Sequence, residues 1–251
     1  MRCILITGAS SGLGEALARA YAGTGVRLCL GGRDAARLEA VGQACRDLGA
    51  AVDCRCIDVA DRQAMAQWLN DIDERHPLDL VIANAGVSAG TGADLGETAE
   101  QARAIFSVNL EGVLNTVLPV IEPMRRRRRG QIVIMASLAG FRGLPSAPAY
   151  SASKAAVRVW GEGLRGWLAS DGIGVTVVCP GFVATPMTSR NRFPMPFLMT
   201  ADDAARLIRR AVGQNRGRVA FPWPMAALLW LLAALPPGWT DGLLGRLPKK
   251  S

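Results

Sequence analysis

Short apolar runs alternate with amphipathic stretches along most of the chain. Residues 3–7, 26–30, 52–57, 78–83, 131–136 and 174–179 are mostly apolar, with the length and texture expected of strands buried on both faces. Helical patterns lie between them: residues 13–22; a helix with Asp34 as N-cap, running to about residue 48; another capped by Asp61, to about residue 74; a long helix opened by the capping-box pattern Thr98-x-x-Gln101 and ending near Met124; and one over about 147–169. This alternation predicts a parallel sheet covered by helices on both faces. Such sheets bind ligands beyond the carboxyl ends of their strands. The glycine-rich turn at residues 7–14, Asp58, Asn84, Ser137 and Pro180 each follow a strand, so they should converge on one edge. No domain boundary is visible, and no internal repeat beyond the alternation itself.

Half of the 251 residues are hydrophobic, enough to bury a full core in one α/β domain and inconsistent with disorder. The net charge of +8 would suit nucleic acid, anionic lipid or an acidic carrier protein. Much of the excess sits in five consecutive arginines, 125–129, where the long helix ends. No aromatic residues interleave with them, which argues against a nucleic-acid face. The run reads as a solvated helix end whose cations suit the C-terminal dipole, with docking of an acidic carrier as the alternative. Cys3, Cys29, Cys179, Cys54 and Cys56 fall in strand-like runs and read as small buried apolar groups in a reducing compartment. His76 is the only histidine and Cys54-x-Cys56 has no second pair at ligand spacing, so no metal site is expected. No basic and apolar leader precedes the first strand, and the expected location is the cytoplasm.

Two motifs carry the chemistry. Thr7-Gly-Ala-Ser-Ser-Gly-Leu-Gly14 sits between an apolar strand and an alanine-rich helix, the context in which a glycine turn holds a dinucleotide pyrophosphate. Gly8 permits the tight turn, Gly12 lets backbone approach phosphate, and Gly14 lets helix and strand pack closely. After the second strand, an acidic residue would accept from the adenosine ribose hydroxyl of NAD; here the chain reads Gly31-Gly32-Arg33. Arg33 is placed to pair with the 2′-phosphate of NADP, with Ser10 and Ser11 adding hydrogen bonds, so NADP(H) is preferred over NAD(H). Asp58 either reaches the adenine amino group or serves as a turn residue with Asp61. The second motif, Tyr150-Ser-Ala-Ser-Lys154, puts a phenol and an ammonium on one helix face. A phenol activated by a lysine beside a nucleotide site suggests hydride transfer with proton relay.

Asn109 lies in Ser-Val-Asn-Leu-Glu-Gly and Ser137 in Ile-Val-Ile-Met-Ala-Ser, with Tyr150 and Lys154 following Ser137 by 13 and 17 residues. With residues 7–14 and Asn84-Ala85-Gly86, this order and spacing resembles the short-chain dehydrogenase/reductase family over about residues 1–190. The resemblance implies an α/β fold, a single Rossmann-fold domain with a doubly wound, mostly parallel seven-stranded sheet and helices on both faces. That domain would cover residues 1–224, including a substrate loop at 182–200. Tyr150 would be general acid in carbonyl reduction and base in alcohol oxidation, its phenolate stabilised by Lys154 and the oxidised nicotinamide. Lys154 would also hold the nicotinamide ribose, Ser137 would position the substrate oxygen, and Asn109 would hold a water leading from Lys154 to solvent. The implied cofactor lining is Thr7, Gly8, Ser10, Ser11, Gly12, Leu13, Gly14, Arg33, Asp58, Val59, Asn84, Ala85, Gly86, Tyr150, Lys154, Pro180, Gly181, Val183 and Thr185, the last through the carboxamide. The family's Asn-Asn-Ala-Gly run reads Ala83-Asn84-Ala85-Gly86 here, which removes one amide hydrogen bond. The implied activity is NADP(H)-dependent interconversion of a ketone or aldehyde and its alcohol. The alternative is an NADP(H)-binding sensor or scaffold without turnover, against which the retention of both Tyr150 and Lys154 counts. Members commonly form dimers or tetramers through the Tyr150 helix and the long helix before it, where Gly161, Gly163 and Gly166 would permit close contact.

Residues 182–199 carry Met187, Phe193, Met195, Phe197, Leu198 and Met199, with prolines at 186, 194 and 196 opposing a long helix. An adaptable apolar lining of this kind fits an apolar or acyl-chain carbonyl better than a sugar. Residues 225–251 form an apolar extension: 225–235 is apolar all round, Pro236-Pro237 ends it, and Trp239, Arg246, Leu247, Lys249 and Lys250 follow. It is too short to span a bilayer, which needs about 20 residues. A packed interface or lid helix, a peripheral membrane contact and a partner-binding segment all fit it.

Overall fold

The computed structural model describes residues 1–89, 97–189, 191 and 193–245. The strands are β1 (Arg2–Thr7), β2 (Val26–Gly32), β3 (Ala51–Cys56), β4 (Leu78–Ala83), β5 (Gly130–Met135), β6 (Ile173–Pro180) and β7 (Arg218–Phe221). They form one seven-stranded sheet in the order β3-β2-β1-β4-β5-β6-β7, every neighbouring pair parallel. The chain steps outward from β1 to β3, then returns to β4 on the other side of β1. At that switch point the connections leave in opposite directions and open a crevice at the carboxyl ends of the strands.

The helices are α1 (Gly12–Tyr21), α2 (Ala35–Asp47), α3 (Arg62–Arg75), α4 (Ala99–Phe106), α5 (Gly112–Arg126), α6 (Pro148–Leu168), α7 (Ala201–Gly213), α8 (Trp223–Ala234) and α9 (Pro237–Leu244). Successive strand residues point to opposite faces. Cys3 and Leu5 of β1 therefore join one core with α3, α5 and α6, while Ile4 and Ile6 join a second with α1, α2 and α7. This is the doubly wound Rossmann-like sheet, covered on both faces.

The caps act as the sequence suggests. Asp34 accepts from Arg37 N at 3.0 Å, Asp61 from Ala64 N at 3.0 Å, and Thr98 with Gln101 makes a reciprocal capping box. The long helix is not uniform, because Ser107–Glu111 between α4 and α5 winds as a π-helix. Helix α7 and the four-residue β7 were not among the elements expected from the apolar pattern. The described part of the 182–200 loop contains no helix; Val183 and Met199 form a bridge that closes its base.

The arginine run differs from a solvated helix end. Arg125 pairs with Asp171 at 2.7 Å and lies over the Trp167 ring at 4.1 Å. Arg127 pairs with Asp73 at 2.8 Å and donates to Leu78 O at 2.7 Å, Arg128 donates to Ser170 O at 2.8 Å, and Arg129 pairs with Asp79. These contacts tie the end of α5 to α3, β4 and the turn before β6. They lie before β5, at the amino ends of the strands and the opposite edge from the crevice, so the run is poorly placed to dock a carrier there. The cysteines also divide. Cys3, Cys29, Cys45 and Cys179 are buried, Cys54 is half-buried, and Cys56 on the edge strand β3 is exposed.

One helical stretch among the described residues, Ala99–Arg126, is long and apolar enough to cross a membrane, but much of it is buried inside the molecule. The first turns of α8 are tied to the domain core, with Met225, Ala226 and Leu229 packed against it. Arg246, Leu247, Lys249 and Lys250 lie outside the described residues.

Candidate active site

The turn after β1 is built for close approach. Gly8 and Gly12 have φ of 65° and 58°, left-handed values that cost glycine nothing. A Cβ on Gly14 would sit 2.1 Å from Gly8 O and 2.6 Å from Asn84 Nδ2, so α1 can meet β1 at this distance only with glycine. Asn84, at the end of β4, donates from Nδ2 to Thr7 O at 3.0 Å and Gly8 O at 3.3 Å. Thr7 Oγ1 accepts from Asn84 N at 3.1 Å and Ala85 N at 3.2 Å. The two strand ends at the switch point are thus fastened together. The N-terminus of α1 stays open toward the crevice, where its N–H groups and dipole favour an anion.

At the far end of the crevice the chain leaves β2 through Gly31 and Gly32. A side chain at 31 would strike Trp68 Cη2 at 2.8 Å, and one at 32 would crowd Ser10 Cβ at 3.2 Å; the glycines leave the end of β2 without the acid that selects a free ribose hydroxyl. Arg33 and Arg37 both line the cleft there. Arg37 Nε pairs with Asp34 at 2.6 Å; backbone and side-chain hydrogen bonds from Arg37 hold that carboxyl below its ordinary value. No carboxylate pairs with Arg33 among the described residues. Asp58 lines the cleft and its Oδ1 accepts from Ala60 N at 2.9 Å, so it also serves the turn. Asn115 of α5 holds that turn by donating to Val59 O at 2.9 Å.

At the other end lie Ser137, Tyr150 and Lys154. Ser137 ends the approach from β5. Its Oγ accepts from Ala139 N at 3.1 Å, donates to Pro180 O at 3.4 Å, and hydrogen-bonds the Tyr150 side chain. Burial pushes the Tyr150 phenol above its ordinary pKa, and the Ser137 bond works in the opposite direction. Lys154, one helical turn along α6, lies 5.9 Å from the centroid of the Tyr150 ring and donates to Met135 O at 2.9 Å. Its burial pulls the ammonium down to about 8. Gly86 makes room for this lysine: a Cβ there would lie 3.4 Å from Nζ and 3.2 Å from Asn109 Oδ1.

Asn109 sits within the π-helical turn, a distortion frequent at functional sites. It is fully buried. Its amide exchanges two bonds with the Val87 backbone, accepting from N at 2.8 Å and donating to O at 2.9 Å, and donates to Ser153 Oγ at 3.1 Å. Its side chain therefore braces the loop after β4 against α6.

One cleft of about 360 Å³ gathers Gly8, Ser10, Ser11, Gly12, Leu13, Gly14, Arg33, Asp58, Val59, Asn84, Ala85, Gly86, Ser137, Tyr150, Lys154, Pro180, Gly181, Val183 and Thr185. Of the residues singled out in the sequence, only Thr7 and Asn109 stand behind its wall. Thr185 folds back over the glycine turn, its Cβ 3.0 Å from where a Gly12 side chain would begin. Arg37 was not among the residues expected in the cleft, although Asp34-x-x-Arg37 on the first turn of a helix was a visible signal. Met187, expected in the apolar loop, closes the cleft from there together with Thr188, which carried no such expectation.

The residues fit a nicotinamide dinucleotide: a glycine cradle with no room for side chains, arginines at one end, and a half-buried phenol beside a buried amine at the other. Comparisons with known proteins agree. The profile of the family described as short chain dehydrogenase matches residues 2–194. A short-chain dehydrogenase from Sphingobium yanoikuyae, solved in complex with NADPH, shares 27% identity and a TM-score of 0.83, covering 100% of this chain and 98% of its own. A 3-oxoacyl-(acyl-carrier protein) reductase from Brucella melitensis, solved with bound NAD, shares 26% identity and a TM-score of 0.75, covering 87% and 88%. An uncharacterized oxidoreductase of Myxococcus xanthus is 40% identical over 247 residues, 98% of this chain and 97% of its own. With a profile match over most of its length and a relative aligned along nearly all of it, the chain belongs to the short-chain dehydrogenase/reductase family.

Proposed function

We propose that the protein is an NADP(H)-dependent oxidoreductase interconverting an apolar or acyl-chain ketone or aldehyde and the corresponding alcohol. The observation that carries this reading is the Ser137–Tyr150–Lys154 cluster, with half-buried Ser137 and Tyr150 beside a buried Lys154, at one end of a dinucleotide-shaped cleft. The cofactor supplies the hydride; the chain supplies orientation and the proton. Ser137 Oγ donates to Pro180 O over a long 3.4 Å, a bond weak enough to be exchanged for one to a carbonyl oxygen. As that oxygen gains charge, the Tyr150 hydroxyl gives it the proton. The buried ammonium of Lys154 favours the phenolate left behind and would hold the ribose hydroxyls of a bound cofactor. In alcohol oxidation the proton runs the other way.

Three features support NADP(H). Arg33 has no carboxylate partner among the described residues, Arg37 neutralises Asp34 beside it, and no acid ends β2. A planar guanidinium pair is well suited to a phosphate. The apolar loop supports a lipid-like or β-ketoacyl substrate. The test is NADPH consumption against ketones, aldehydes and β-ketoacyl thioesters of graded chain length. Turnover rising with chain length, and falling about 100-fold or more in Tyr150→Phe with NADPH binding retained, is the expected outcome. Retained turnover in Tyr150→Phe removes the proton-donor role. NADPH binding with no turnover on any substrate favours a sensor.

A further inference from the structure

We propose that the outward face of α8, continued by Trp239, docks on the surface of an anionic phospholipid bilayer. Residues 222–239 contain no charged, hydroxyl or amide side chain. Met225, Ala226 and Leu229 face the core, but the opposite face is not polar, as that of a surface helix normally is. Trp223 is 77% exposed, Leu228 56%, Trp230 61%, Leu231 55% and Trp239 77%. A contiguous apolar surface of this kind marks an interaction site.

Three observations favour a lipid surface over a second copy of the chain. First, α8 has 12 residues, about 18 Å at ~1.5 Å per residue, too short for a hydrocarbon core of about 30 Å, so it would lie in the plane of the interface. Second, the exposed tryptophans each carry an N–H that seeks an acceptor when buried. Two such faces pressed together would offer no side-chain acceptor, whereas headgroups and interfacial water do. Third, Asp241 is the only acid in residues 222–251, against Arg246, Lys249 and Lys250, and a basic excess in the sequence that follows an apolar segment favours anionic lipid.

The face is also well placed. A Cβ on Gly181, which lines the cleft, would lie 2.9 Å from Pro222 Cδ and 3.3 Å from Met225 Sδ. The helix therefore begins at the rim of the cleft. Phe197 and Leu198, in the loop that follows the carboxyl end of β6, are exposed as well. On the oxidoreductase reading, docking would hold the cleft mouth near the bilayer, where an apolar carbonyl is concentrated.

The test is flotation of the full-length protein with vesicles of phosphatidylcholine mixed with phosphatidylglycerol, beside the double variant Leu228→Glu/Leu231→Glu. Both leucines are exposed, so the variant should keep its fold and its NADPH binding. The wild type is expected to float with the mixed vesicles and much less with phosphatidylcholine alone, and the variant to lose at least tenfold in partitioning. Absence of wild-type flotation, or equal flotation of the two proteins, overturns the proposal. So does a wild-type oligomer that the variant dissociates without either protein floating, which would assign the face to a second copy. Flotation is read without turnover, so its failure and a failure of the oxidoreductase reading are distinguishable.

Discussion

At Lys154, burial and chemistry pull against each other. The site needs a cation beside Tyr150, yet desolvation lowers the ammonium to about 8, because a charged group loses water that the surrounding apolar strands do not replace. The amine is charged below that value and neutral above it. The kcat/KM for NADPH, which reports groups of the free enzyme, is therefore expected to be level at neutral pH and to fall as pH rises through about 8. A level profile from pH 7 to pH 10 would remove Lys154 from the cofactor's binding. Arg33 makes the complementary prediction at the other end of the cleft. Arg33→Asp exchanges a guanidinium for a carboxylate where a 2′-phosphate would lie. It should lower the NADPH-to-NADH ratio of kcat/KM at least tenfold, and an unchanged ratio would return Arg33 to ordinary surface charge. Most of the residues that line the cleft were legible in the sequence because they follow strands, and Tyr150 and Lys154 because their spacing is one helical turn. The side-chain bonds of Asn109 were not, since its partners Val87 and Ser153 are distant in sequence.

Among the elements, the β1–turn–α1 unit allows the least substitution. A methyl group on Gly14 would press on a carbonyl at 2.1 Å and an amide at 2.6 Å, and neither is the free end of a flexible side chain. The helix would have to move away from the strand. Gly14→Ala is expected to cost about 1–3 kcal/mol by overpacking and to weaken NADPH binding, because the helix N-terminus that meets the pyrophosphate moves with it. Thermal melting and NADPH titration read the two effects separately; a variant that matches the wild type in both would mean that the turn relaxes freely. Elements with strong local signals were readable: apolar strand runs, and caps at Asp34, Asp61 and Thr98. The helix α7 carried a comparable signal, Thr200 accepting from Asp203 N at 3.1 Å, but the proline-rich loop before it masked the change of pattern. The short β7 owes its place to pairing with β6, a long-range contact that four residues cannot announce. Nor does the π-helical turn interrupt the hydrophobic period strongly enough to be seen.

At the scale of the whole molecule, the sheet explains why residues from seven separated segments share one cleft, and the helices outside it explain what remains exposed. On α6, Val159, Gly163, Gly166 and Trp167 fall at helical spacing on one outward stripe; Val159 and Trp167 are exposed, and the two glycines have nothing in front of them. Leu118 on α5 is exposed too. Large apolar groups beside glycines allow another helix to approach closely, and a two-fold axis would set the stripe against its own copy. We therefore expect a homodimer or homotetramer through α5 and α6. This surface is distinct from the α8 face, which lies beyond β7, and the two can be tested independently. Val159→Glu would place two carboxylates across such an axis without disturbing the core, since Val159 points away from it. Sedimentation at micromolar concentration should show the wild type as a dimer or larger and the variant shifted to monomer, with NADPH binding preserved. A monomeric wild type would make the stripe plain surface. A dimer that survives Val159→Glu would move the interface to another face.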